Sequence, residues 1–105
     1  IFLHAYLPPD VTTSDATIFD LRWRKLPRDP SEHRSGKTLV VGHTQQPQSK
    51  PRSWGHLLAL DTGAYNGGWL TACDVRSGWV WQANEADQFQ QGPFAQLGTI
   101  VDPSG

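Results

Sequence analysis

The chain of 105 residues has one cysteine, no methionine and no long apolar run. A single thiol excludes an intrachain disulfide and a zinc ribbon, and Cys73 suits a reducing, cytoplasmic compartment. No stretch approaches the ~18 apolar residues of a membrane span. Charge is scarce as well: charged residues make up 18% and the formal net charge is -1. That balance argues against a polycation tracking nucleic acid, because the local basic cluster of Arg22, Arg24, Lys25 and Arg28 is short. Neither nucleic acid nor membrane is expected as a partner.

Hydrophobic residues make up 37%, enough for the core of one small domain. Ile1-Phe2-Leu3 already reads as the body of a strand, which is expected of a piece cut from a longer protein. Leu7-Pro8-Pro9-Asp10 closes that strand, because proline cannot donate to a ladder. Thr12, Thr13 or Ser14 can then cap a helix, with Asp15 in its first turn. Ile18, Leu21 and Lys25 follow helical spacing, Phe19, Trp23 and Leu26 add a neighbouring stripe, and Pro27 ends the run. The polar stretch 28–36, His33 included, reads as solvated.

Lys37 to Gly42 reads as a strand buried on both faces, followed by a polar loop from Thr44 to Ser53. His56 to Leu60, Trp69 to Val75 and Trp79 to Ala83 read as short strands. Gly67-Gly68 and Arg76-Ser77-Gly78 supply the turns between the later ones. Trp69, Trp79 and Trp81 are expected to pack in the core or across strands. The Gln- and Gly-rich segment 86–105 reads as a weakly ordered tail, set apart from a folded region over residues 1–85.

His4 and His43 stand out. Each follows an apolar run, in Phe2-Leu3-His4-Ala5 and Val40-Val41-Gly42-His43-Thr44, so each sits where a buried strand opens onto a loop. Neutral imidazole is the commonest transition-metal ligand among side chains, and two in one setting suggest a shared site.

In order along the chain, Phe2-Leu3-His4-Ala5, Trp23-Arg24, Gly42-His43-Thr44, Asp61-Thr62-Gly63 and Gly67-Gly68-Trp69 resemble the C-terminal half of a calcineurin-like metallophosphoesterase. The branch resembled is that of the bacterial serine/threonine phosphoprotein phosphatases. The resemblance implies an α/β fold, the C-terminal portion of a layered sandwich of mixed β-sheets flanked by helices. It implies a hydrolase that cleaves phosphate monoesters with a metal-bridging hydroxide and two divalent ions, manganese, iron or zinc. His4 and His43 would be metal ligands, and Arg24, or Arg22 in its place, would bind phosphate. The substrate would be a phosphorylated protein or a small phosphoester. The Asp-x-His, Gly-Asp-x-x-Asp-Arg-Gly and Gly-Asn-His-Glu motifs of that family are missing, so the partner would include an N-terminal half of the same domain. The fragment alone would be inactive.

Two other readings stand beside it. One is an enzyme similar to the diadenosine tetraphosphate hydrolases. The other is a non-catalytic, β-rich binding module with an aromatic hairpin. The binding module is expected to hold His4 and His43 apart, whereas ligands of one metal need ring nitrogens within about 4 Å.

Overall fold

A computed structural model describes residues 1–101. The chain forms a small α/β domain with two β-sheets and short helices. The first sheet is mixed and is built from β1 (Leu39–Val41), β2 (Arg52–Ser53), β3 (Leu57–Ala59) and β7 (Thr99–Ile100), in the order β1-β3-β2-β7. β1 runs parallel to β3, β2 runs antiparallel to β3, and β2 runs parallel to β7. The segment from Ile1 to His4 lies along the outside of β1 through a parallel bridge from Phe2 to Val40. The second sheet is an antiparallel meander of β4 (Leu70–Cys73), β5 (Trp79–Ala83) and β6 (Phe89–Pro93).

The period-2 alternation of strands explains where the core lies. Leu39 pairs with Leu57 and Val41 with Ala59, and all four are buried. With Tyr6 and Leu7 they form the main apolar cluster, against which Ile1, Leu3, Val11, Ala16, Leu26 and Trp54 pack. The intervening pair, Val40 and Leu58, is half-buried on the opposite face. The strand expected to be buried on both faces is therefore buried on one.

The helix is shorter than its spacing predicts. α1 covers Ile18–Arg22, and its N-cap is Thr17 rather than Thr12, Thr13 or Ser14. Thr17 and Asp20 form a capping box, each side chain meeting the other's backbone N–H. The apolar stripe does not face the core, since Ile18, Phe19, Leu21 and Trp23 are exposed and the buried residue is Asp20. Backbone bonds dock the helix instead: Ala5 N–H donates to Leu21 O at 3.1 Å and Tyr6 N–H to Asp20 O at 3.0 Å.

Much of the segment expected to be a weakly ordered tail is built into the fold. It supplies β6, the one-turn α2 (Phe94–Leu97) and β7, so it contributes to both sheets. Residues 102–105 of that segment lie outside the described residues. His33 is likewise buried rather than solvated. Its Nδ1 accepts from Ser35 N–H, so Nε2–H donates to Val11 O at 2.7 Å. Among the described residues no helix is long and apolar enough to cross a membrane.

Candidate functional site

The parallel register of the first segment against β1 brings the two strand-end histidines together. Gly42 N–H donates to His4 O at 2.8 Å, and the next residue, His43, turns the chain with φ 63. His4 Nε2 lies 3.3 Å from His43 Nδ1, and the rings are tilted by 55°. His43 Nε2 lies 3.1 Å from Trp23 O, an acceptor only, so Nε2 carries the proton. His43 Nδ1 is then the acceptor for His4 Nε2–H. The two rings bracket three pieces of backbone: the first segment, the end of β1 and the C-terminus of α1. The expectation that a binding module would hold these histidines apart is not met.

Two nitrogens do not make a metal centre. Among the described residues no group of three or more His, Cys, Asp or Glu could hold a metal ion. A catalytic zinc-type site takes three protein ligands and a structural one takes four. Asp61 lines the same shallow depression as the histidines, but its carboxylate accepts from Gly63 N–H at 3.0 Å and serves that turn.

The expected phosphate-binding arginines do not join the pair either. Arg24 Nε donates to Asp20 Oδ1 at 2.7 Å, its guanidinium lies over the Phe19 ring, and it lines a separate depression with Tyr6, Pro8 and Lys25. Arg22 is exposed at the end of α1. Burial raises the Tyr6 phenol above its ordinary value.

A larger concavity lies elsewhere. A cleft of about 680 Å³ opens between the two sheets. Its floor is one cross-strand row of the first sheet: Phe2 bridges Val40, Val40 pairs with Leu58, Leu58 with Ser53 and Ser53 with Ile100. All five line the cleft, as the period of the strands requires once Leu39, Leu57 and Val41 face the core. The other wall comes from the β4–β5 hairpin and α2, through Cys73, Val75, Gly78 and Phe94.

Phe94 is fixed by its backbone and by a glycine. Its N–H donates to Gly78 O at 2.8 Å, and a Cβ at Gly98 would stand 2.5 Å from the Phe94 ring, so only glycine leaves room. Among the described residues one acidic side chain, Asp74, stands at the rim. Its carboxylate accepts from Arg76 and Ser77 N–H groups, and these bonds hold it below the usual carboxylate range. Burial, then the Asp74 charge, raises the Cys73 thiol, which keeps it protonated and unreactive. Among the described residues, nothing in this cleft pairs a nucleophile with a base.

Sequence reasoning missed the cleft because its floor is assembled from residues 2, 40, 53, 58 and 100. The one local signal was the apolar character of both Val40 and Leu58, which exceeds what a single core needs. Of the two places expected for the hairpin tryptophans, the core does not hold and the cross-strand position does for Trp79, which bonds to Gln91 of β6. Trp79 and Trp81 are 39% and 38% exposed, on the face of β5 opposite buried Val80 and Gln82.

No family model, curated protein or solved structure matches the chain. Together with the absence of a metal-binding cluster among the described residues, this overturns the metallophosphoesterase resemblance. The phosphatase activity, the two divalent ions and the metal-ion hydrolysis mechanism go with it. What remains of the expected fold is the coarser description, mixed sheets with short flanking helices.

Proposed function

We propose that the chain is a non-catalytic, β-rich binding module that takes a neutral, apolar small molecule in the cleft between its two sheets. The observation that carries this reading is the cleft itself. Its volume of about 680 Å³ falls within the ~300–1,000 Å³ of typical small-molecule sites. Its lining is aliphatic and aromatic, with a few polar groups at Thr38, Ser53 and Asp74. Such a site gains from apolar burial and selects through a small number of polar contacts. The carboxylate at the rim disfavours an anionic ligand.

The test uses the neutral, environment-sensitive probe N-phenyl-1-naphthylamine. Saturable one-to-one binding is expected, accompanied by quenching of tryptophan emission from Trp54 in the cleft wall. Val40→Trp fills the floor and should abolish binding. Ile100→Trp does the same from an exposed edge position, where folding tolerates the larger ring. Binding that is absent, or unchanged in both filled variants, rejects the reading.

A further inference from the structure

The outer face of the second sheet is a separate feature that the cleft does not use. Alternation places Trp79, Trp81 and Ala83 of β5 on it, and register adds their neighbours. Leu70 and Phe89 flank Ala83, Ala72 and Gln91 flank Trp81, and Pro93 pairs with Trp79. Leu70 and Phe89 are 67% and 61% exposed. No charged side chain lies among these eight residues. Trp79 Nε1–H donates to Gln91 Oε1 at 3.1 Å, which holds one indole across the sheet toward β6 and fixes the amide beside Trp81.

We propose that this face is a platform for an uncharged, β-linked polysaccharide chain. Size is the first argument. Three strands of about five residues span roughly 14 by 17 Å, far short of the ~800 Å² per partner in a stable protein–protein interface. A narrow linear ligand suits it better than a second copy or a folded protein.

Charge is the second argument. A single-stranded nucleic acid would also stack on indoles, but it needs cations for its phosphates. The face has none, and the turns that join its strands carry three exposed acids, Asp74, Glu85 and Asp87, against one exposed cation, Arg76.

Shape and bonding give the third. Alternate positions on a strand put the two indoles about 7 Å apart along a straight line, on the scale of one to two hexose units. A flat β-linked chain presents C–H faces to such rings and equatorial hydroxyls to an amide such as Gln91.

The experiment is affinity electrophoresis of the whole chain through gels holding soluble mixed-linkage β-glucan, with α-glucan gels alongside. Retardation by β-glucan is expected, with Trp81→Ala weakening it about tenfold and Trp81→Phe retaining some of it. Ile100→Trp, which fills the cleft from an exposed edge position, should leave it unchanged, which separates failure of this proposal from failure of the cleft reading. If Trp81→Ala does not fold, acrylamide quenching of the unaltered chain decides, since bound glucan must shield its tryptophans. No retardation and no shielding, retardation by α-glucan alone, or retardation untouched by Trp81→Ala each overturns the proposal. Binding to a proline-rich peptide or to neutral vesicles without glucan binding does so as well.

Discussion

Asp20 is 3% exposed and ties α1 to its own first turn, so its removal is a sharp test of how the N-terminal region is held. Its carboxylate accepts from Thr17 N–H at 3.0 Å, from Thr17 Oγ1–H at 3.1 Å and from Arg24 Nε–H at 2.7 Å. Asp20→Ala removes all three bonds and leaves the Thr17 N–H without its partner. Hydrogen bonds to a charged group contribute about 1.5–3 kcal/mol, and a half-exposed ion pair adds ~0.2–1 kcal/mol. Water recovers some of this around Arg24, which gives an expected loss of about 2 kcal/mol.

That loss lowers the midpoint of urea unfolding by about 1 M at a typical slope, and Tm by roughly 10 °C. The pH dependence follows from the direction of the shift. The backbone bond from Thr17, opposed by burial and assisted by Arg24, lowers the Asp20 pKa in the folded chain. Its contribution is therefore present above the unfolded carboxylate value near ~3.9 and is lost as pH falls through the lower folded value. The gap between the unaltered chain and Asp20→Ala should be full at neutral pH and should close in acid. A gap below ~0.5 kcal/mol at neutral pH, or one that widens as pH falls, refutes the reasoning.

Three further outcomes are expected. Gly68→Ala should destabilise by more than ~2 kcal/mol in denaturant titration, because the new Cβ would collide with Thr62 O and stand 2.9 Å from Gly63 O, both backbone atoms. Gln82→Leu should cost about 2–3 kcal/mol by the same measurement. The amide is buried and bonded to Thr71 Oγ1 at 2.9 Å and to Gln90 Nε2 at 2.6 Å, and those partners would be left behind. About 1 mM Mn²⁺ should leave Tm unchanged and bring no hydrolysis of p-nitrophenyl phosphate, because among the described residues His4 and His43 have no third ligand beside them. A large Tm increase abolished by His43→Ala would contradict that assignment.

What could be read from the sequence was local. The hairpin was legible because Trp79 to Ala83 alternates and Arg76-Ser77-Gly78 turns the chain, and both signals lie within a few residues. β1 and β3 were legible as apolar runs, and the strand-end settings of His4 and His43 were legible with them. Their meeting depended on the parallel register of the first segment with β1, which no local pattern encodes.

The helix was overextended because apolar spacing carries no information about capping. Thr17 and Asp20 set its start, and carbonyls rather than side chains dock it. β6 and β7 were invisible because they owe their form to pairing. Gln90 is a strand residue through its place opposite Gln82, and Thr99 and Ile100 through β2. The cleft lies furthest from the sequence, since its floor joins five separate segments.

The most direct test of the central claim is a map of amide chemical-shift changes in the ¹⁵N-labelled chain on titration with N-phenyl-1-naphthylamine. The cleft account predicts saturable changes concentrated at Val40, Ser53, Leu58, Cys73, Gly78 and Ile100, with His4, His43 and Trp81 unmoved. Changes centred on the histidines or on the outer face of the second sheet, or none at saturating probe, would contradict it.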